Sequence, residues 1–390
     1  MQLQVSDTED ADVIWRFDMM KELGVSQHNM ANCSMLTVDG MLFVCTSNGV
    51  GDTHLNVPSP KAPSFLALDR ETGRVIWTDN SPGENILHAQ WASPSYGVFK
   101  GHPQVIFPGG DGWLYSFDPC GDGDGHSKLL WKFDGNPKES IYRLNGATRN
   151  HFIAFPGIYD GSIYIAVGED PEHGEGPGHL WCIDPTKKID GSDVSPELAV
   201  DQFGKAIAPK RKQAVDKSSG ELAIPNPDSA VIWHYSGFDQ DGNGKIGFEE
   251  SFHRSLSTPV IKDDVLYTTD FSGLVHCLNA KNGTVYWTYD LLASCWNSPL
   301  LVDGKVYVAD EDGDVAIFRH NPSPRIAMKA VETADNRLEF VPLHNIRDGE
   351  FVNECHMHTA IYMTPIVANN VLYIACRDTL YAIEEISGPK

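Results

Sequence analysis

No stretch of this 390-residue chain approaches the roughly 18 consecutive apolar residues of a membrane-spanning helix, so no transmembrane segment is expected. The N-terminus, beginning Met1-Gln-Leu-Gln-Val-Ser-Asp, also lacks the basic and apolar regions of a signal peptide, so the expectation is either a cytoplasmic protein or an exported one whose signal is absent from this sequence. Basic residues are scarce, with 30 Lys and Arg against 53 Asp and Glu and a net charge of −23. Such a surface repels nucleic acid and anionic lipid and attracts cations, so no nucleic-acid partner is expected. The eight cysteines contain no C-x-x-C pair that would point to zinc or redox work. Cys45, Cys182, Cys277 and Cys376 lie inside strand-like runs, where a thiol behaves as a small apolar side chain.

What the chain does have is a tryptophan that recurs at the end of strand-like runs. The runs are Val13-Ile14-Trp15, Val75-Ile76-Trp77, Leu129-Leu130-Trp131, Val231-Ile232-Trp233 and Val285-Tyr286-Trp287. Trp77 and Trp131 are 54 residues apart, as are Trp233 and Trp287, and a repeat of that size is one propeller blade. Six Ser-, Thr- or Pro-containing lead-ins precede the innermost strands: Cys33-Ser34-Met35, Ala92-Ser93-Pro94, Ala154-Phe155-Pro156, Ser257-Thr258-Pro259, Asn297-Ser298-Pro299 and Met363-Thr364-Pro365. Each is followed by a tight-turn signal and a β-branched or aromatic run, at Met41 to Cys45, Gln104 to Phe107, Ser162 to Val167, Val265 to Thr269, Lys305 to Ala309 and Val371 to Cys376. With 35 Gly and 24 Pro, the composition fits an all-β fold, read here as one domain over 1–390, a six-bladed β-propeller of four-stranded antiparallel blades.

The last unit, Thr364 to Glu384, ends without a tryptophan strand, whereas Val13 to Phe17 is a tryptophan strand with no blade before it. The N-terminal strand is therefore expected to complete the sixth blade and remove its free edge. In the fifth unit, the outer strand is expected at Ile326 to Val331.

The sharpest chemical motif lies at 238–251, between blades three and four. Asp239, Asp241, Asn243, Lys245 and Glu250 occupy positions 1, 3, 5, 7 and 12 of a twelve-residue loop, with Gly244 at position 6 and Ile246 at position 8. These are the constrained positions of an EF-hand calcium loop, in which Lys245 offers its carbonyl and Glu250 two carboxylate oxygens. Gly247 at position 9 leaves that place to water. A tryptophan strand precedes the loop where a helix is usual, so it reads as a structural clip and not as a sensor. A second acidic turn, Asp118 to Gly125, has no terminal glutamate and reads as a solvated hairpin tip.

Polar and aromatic residues gather just before each innermost strand, where a propeller brings its connections to one mouth of the central channel. They include His28, His88, Trp91, Arg149, His151, His253, Arg254, Trp296, His356 and His358. Histidines and arginines around one axis suit an anion or a metal, and the competing reading is that they cap the channel by bonding to backbone carbonyls. Between Glu169 and His179, carboxylates and histidines alternate on a glycine-rich insertion that either holds a cation, contributes to a pocket or is solvated.

The segment Ala67-Leu-Asp69-Arg-Glu-Thr72-Gly73-Arg-Val-Ile-Trp77 resembles the tryptophan-docking motif of the pyrroloquinoline quinone-like propeller repeat, and Cys277 to Trp287 repeats it with Asn279 in place of the Asp. The resemblance implies a propeller fold that hosts quinoprotein alcohol dehydrogenases as well as scaffold proteins, most of them exported. Those dehydrogenases have eight blades and an adjacent cysteine pair against the quinone, and this chain has no such pair, so pyrroloquinoline quinone is not an expected cofactor. Calcium is. The expected function is an exported, periplasmic or otherwise extracytoplasmic calcium-binding scaffold with a ligand or protein partner at the channel mouth. The alternative is an enzyme that uses the histidine and arginine residues, with or without a bound metal, on an anionic or sugar substrate.

Overall fold

The computed structural model describes residues 13–143, 146–168, 174–321, 328–332, 338–342 and 351–384. The chain divides into two compact units, Met1–Ile163 with Ile183–Val231, and Tyr164–Cys182 with Ile232–Lys390. Six principal sheets follow one another, and each of the six lead-ins stands immediately before the first strand of a sheet.

The first sheet comprises Leu36–Val38, Met41–Cys45, Phe65–Asp69 and Val75–Asp79, and the second Ser95–Phe99, His102–Pro108, Trp113–Phe117 and Leu129–Asp134. A fifth, two-residue strand, Ser192–Asp193, joins the second sheet in parallel beside Trp131 and Lys132. The third sheet takes Gly157–Tyr159, Ser162–Val167, His179–Ile183 and Val231–Tyr235 in that order. The fourth comprises Val260–Lys262, Val265–Thr269, Leu274–Asn279 and Val285–Asp290, and the fifth Leu300–Val302, Lys305–Ala309, Asp314–Arg319 and Phe351–His356.

One expectation is corrected, and a second is not met among the described residues. The outer strand of the fifth sheet is Phe351–His356, because Met328–Glu332 pairs instead with Leu338–Pro342 in a separate hairpin. The sixth sheet, Ile366–Ala368, Val371–Ala375 and Leu380–Glu384, has three strands, and Val13 to Phe17 forms none, so no described sheet is closed by the N-terminus.

The tryptophans explain the repeat physically. In three sheets the ladder slips one residue just before the tryptophan: Ala67 pairs with Trp77 but Leu68 with Val75, Ser116 with Trp131 but Phe117 with Leu129, and Cys277 with Trp287 but Leu278 with Val285. A bulge twists a strand and re-aims its side chains. Two indoles, one of them beside such a slip, dock on the turn of the following sheet. Trp77 Nε1 donates to Pro119 O at 2.8 Å and Trp233 Nε1 to Ala280 O at 2.8 Å. Gly121 and Gly283 lie beneath them at φ +68° and +72°, where a Cβ would come within 2.8 Å of the ring. Glycine is needed twice over at these turns, for the left-handed backbone and for the close approach.

Trp15 makes the same dock on the first sheet without belonging to a strand. Its Nε1 donates to Arg70 O at 2.8 Å, and a Cβ on Gly73 would stand 2.6 Å from its ring. With Phe17, Met19 and Leu23 it covers Val44, Leu66 and Leu68. The core of the first unit is aromatic, with Phe43, Phe65, Trp77, Phe107 and Phe117 all fully buried. In the second unit Val265, Tyr267, Trp287, Tyr289 and Phe318 form the corresponding cluster. All eight cysteines are free thiols; Cys45, Cys182 and Cys277 are buried, and Cys376 only partly so.

Candidate functional site

The acidic loop of the second unit is organised by its own backbone. Gly242 and Gly244 take left-handed φ values of +73° and +81°, which lets successive N–H groups point inward at carboxylates. Asn243 N–H donates to Asp239 Oδ1 (3.1 Å) and Asp241 Oδ1 (2.9 Å), Gly244 N–H to Asp239 Oδ2 (2.7 Å), and Lys245 N–H to Asn243 Oδ1 (2.9 Å). Glu250 reaches back from a single 3-10 turn, Phe248–Glu250, and accepts from Gly247 N–H (2.8 Å), Gln240 N–H (2.8 Å) and Asp241 N–H (3.1 Å). These bonds, that from Gly247 foremost, hold its carboxyl below the usual range.

Oxygens of Asp239, Asp241 and Glu250 lie within 4.8 Å of one another. That spacing suits ligands on a shared calcium shell, whose radius is about 2.3–2.6 Å. The loop is pinned at its base, where Phe238 N–H donates to Glu250 O and Phe252 N–H to Ser236 O, each at 3.0 Å.

Just beyond the loop, Phe248 packs on the ring of His253, with centroids 4.2 Å apart. His253 Nδ1 and His276 Nε2 each lie 3.0 Å from Asp270 Oδ2, and Tyr235 Oη lies 3.1 Å from His276 Nδ1. Asp270 is fully buried, which raises its pKa, yet the hydrogen bonds and charge interactions with the two histidines together outweigh burial and hold its carboxyl down at about 2. Arg254, also buried, donates through Nη1 to Gly174 O at 2.7 Å and so fixes the described part of the insertion that ends at His179. The expected Glu169 to His173 part of that insertion lies outside the described residues. Trp296 Nε1 donates to Glu311 (3.0 Å). His356 and His358 are exposed neighbours 5.3 Å apart, and His356 is paired with Asp314 at 2.8 Å.

In the first unit Arg149 is bound inward. Its guanidinium lies 3.2 Å from Asp134 Oδ1, and Lys138 Nζ lies 3.0 Å from Asp134 Oδ2, with all three side chains at most 3% exposed. One buried carboxylate is thus shared by two cations, Lys138 and Arg149. His28, His88, Trp91 and His151, in contrast, form one ring cluster, with His88 4.8 Å from Trp91 and 6.0 Å from His151.

A residue the sequence reading passed over completes this cluster. His54 lies on the connection from Cys45 to Phe65, which is far longer than a hairpin turn. It is held at φ +58° by its N–H donating to Gly51 O (2.8 Å). Ring centroids of His28, His54 and His88 stand 4.8, 4.6 and 4.7 Å apart, a nearly equilateral triangle. The His28 Nδ1–H donates to Val50 O at 2.8 Å, and its Nε2 faces His88 Nε2 at 2.8 Å. Burial, with His88 alongside, pushes His28 below the ordinary imidazole range. The length of the 46–64 connection was the signal available in the sequence.

The comparisons with known proteins agree with the repeat. Residues 219–321, which contain the acidic loop, match the family model described as outer membrane protein assembly factor BamB. The chain is 22% identical to the outer membrane protein assembly factor BamB of Yersinia pestis over 374 residues, covering 86% of each chain. It is also 22% identical to that of Shewanella oneidensis over 280 residues, covering 65% of this chain and 66% of the relative. Among solved structures, BamB from Moraxella catarrhalis aligns at 14% identity with a TM-score of 0.41, covering 93% of this chain and 96% of that one. Quinohemoprotein alcohol dehydrogenase from Comamonas testosteroni aligns at 14% identity and a TM-score of 0.41, covering 75% and 46%. The docking motif, the four-stranded sheets it terminates and the matched segment make this chain a β-propeller protein of the pyrroloquinoline quinone-like repeat type.

Proposed function

We propose that this chain is an extracytoplasmic binding module, stabilised by calcium, that holds a protein partner. The observation that carries the calcium reading is the convergence of Asp239, Asp241 and Glu250 on one point, in a loop whose Gly242 and Gly244 take the backbone conformation such a loop demands. Three carboxylates so close repel one another unless a cation lies between them. Asn243 and the Lys245 carbonyl would supply further neutral oxygens, and the chemistry is that of a hard cation with oxygen donors. The ion would rigidify the connection whose Phe248 leans on His253.

The binding reading is supported by the relatives, which are named as outer membrane protein assembly factors, and by the strongly acidic surface, which favours a cationic partner face. No helix among the described residues is long and apolar enough to cross a membrane.

Calorimetric titration of chelator-treated protein is expected to show one calcium per chain, and added chelator should lower the melting temperature. Glu250→Ala should remove both effects. A fluorescently labelled peptide with the alternating pattern of an outer-membrane β-strand is the probe for partner binding. Absence of calcium heat together with an unmoved melting curve would overturn the calcium reading, and no anisotropy change with the peptide would overturn the partner reading.

A further inference from the structure

We propose that His28, His54 and His88 form a binding site for a divalent transition metal of the zinc and cobalt kind, separate from the acidic loop. Three observations on the first unit converge on this.

The first is geometry. One nitrogen from each histidine falls within 4.8 Å of the other two, and His28 Nε2 and His88 Nε2 are 2.8 Å apart. Tetrahedral Zn–N bonds of about 2.0–2.1 Å place ligand nitrogens about 3.3 Å apart, inside that spread. Small rotations of His54, which is only partly buried, would close the triangle.

The second is the state of the ligands. A metal needs a neutral imidazole with one nitrogen bare, and a metal-bound histidine usually donates its other N–H to a carbonyl or carboxylate. His28 already does so: its Nδ1–H is committed to Val50 O, which leaves Nε2 as the bare nitrogen. In the absence of metal His88 Nε2–H donates to it. Binding requires the His88 Nε2–H proton to leave that nitrogen, for the ring's own Nδ1 or for water, so that both Nε2 lone pairs reach the ion.

The third is the scaffold behind the ligands. Val50 N–H donates to His88 O at 2.8 Å while Val50 O accepts from His28, so one residue fixes both histidines. Gly49 permits this, since a Cβ there would lie 2.6 Å from His28 Cβ and 2.7 Å from His88 O. Arg211 ties in the third. Its guanidinium donates to Ile86 O (2.8 Å) and Leu87 O (3.2 Å) next to His88, and to Leu55 O (2.7 Å) and His54 O (3.4 Å). A side chain that donates through Nε, Nη1 and Nη2 to four carbonyls around two of the ligands is a positioning residue for the triangle. The left-handed His54 backbone is a strained feature of the kind that gathers at functional sites. Three imidazoles leave coordination positions for water or a small anion, and His54 is the least buried of the three.

The test uses the full chain, stripped with chelator and returned to excess calcium so that the acidic loop is filled, then titrated with Co²⁺. One Co²⁺ per chain should bind with an intense visible absorption, as nitrogen-ligated tetrahedral cobalt gives, and Zn²⁺ should bleach it. His54→Gln should abolish the band and weaken binding at least tenfold, and Arg211→Lys should weaken it by roughly 10–100-fold, as loss of an outer-shell partner does. Circular dichroism verifies that both variants are folded. Should either fail to fold, X-ray absorption of the wild-type cobalt complex decides instead, through the number of imidazole ligands. No visible band in the wild type, an undiminished band in folded His54→Gln, or an all-oxygen cobalt shell would each overturn the proposal.

Discussion

Trp77 offers the most direct test of how these sheets are held. Its indole is fully buried, stands 5.5 to 6.2 Å from the rings of Phe43, Phe107 and Phe117, and donates to Pro119 O at 2.8 Å. Trp77→Ala removes packing, with an expected cost of about 3–5 kcal/mol. Trp77→Phe keeps most of the ring but strands the buried Pro119 carbonyl, so it isolates the hydrogen-bond contribution, about 1–3 kcal/mol. Trp287 is the control. It is equally buried, packs 5.0 Å from Phe318 and 5.9 Å from Tyr267, and its Nε1 has no partner among the described residues. Trp287→Phe therefore deletes an unsatisfied donor, and its cost as a fraction of Trp287→Ala should be clearly smaller than the same fraction at Trp77. Equilibrium urea unfolding followed by fluorescence and circular dichroism measures all four, with unchanged m-values showing that compactness is unaltered. Equal fractions at the two sites would refute the idea that docking to the next turn stabilises the sheets beyond packing.

Gly283→Ala should destabilise the second unit in thermal melts, because the new Cβ meets the Trp233 ring at 2.8 Å on a backbone with φ +72°. Trp15→Ala should lower the melting temperature and raise proteolytic cleavage within the first sheet, which the indole covers. Burial pushes the Asp111 carboxyl up to about 6 despite the Tyr115 hydroxyl bonded to it at 2.6 Å. Its folded pKa is thus raised, so its contribution is greatest below pH 4 and is lost as pH rises through 6. Raising the carboxyl from its ordinary value to about 6 corresponds to roughly 3 kcal/mol, and Asp111→Asn should flatten that part of the pH-stability curve. Asp270 has the opposite sign: held down at about 2, it contributes stability above about pH 4 that disappears as pH falls toward 2, and Asp270→Asn should abolish that acid-side loss.

Local sequence determined the repeat because its signals are local. A tight turn, a β-branched run and a tryptophan set strand direction and register without reference to the rest of the chain, so the lead-ins and four of the six second strands were legible to the residue, while the second sheet's runs His102–Pro108 and the sixth's ends at Ala375. The acidic loop was legible for the same reason: all its donors fall within twelve consecutive residues. The fifth sheet was not, since two segments competed to pair with Asp314–Arg319, and Phe351–His356 won from more than thirty residues away. Only tertiary structure could sort the polar residues before the innermost strands. Arg149 and His28 look alike in sequence, yet Arg149 is paired with the buried Asp134 whereas His28 faces two other imidazoles. His54 and Arg211 had no local signature, because what gives them meaning is the 26 residues from His28 to His54 and the 157 from His54 to Arg211 that the fold brings within hydrogen-bonding reach. Residue type fixes which chemistry is available. Which groups meet depends on long-range closure, and that is written in no short window of the chain.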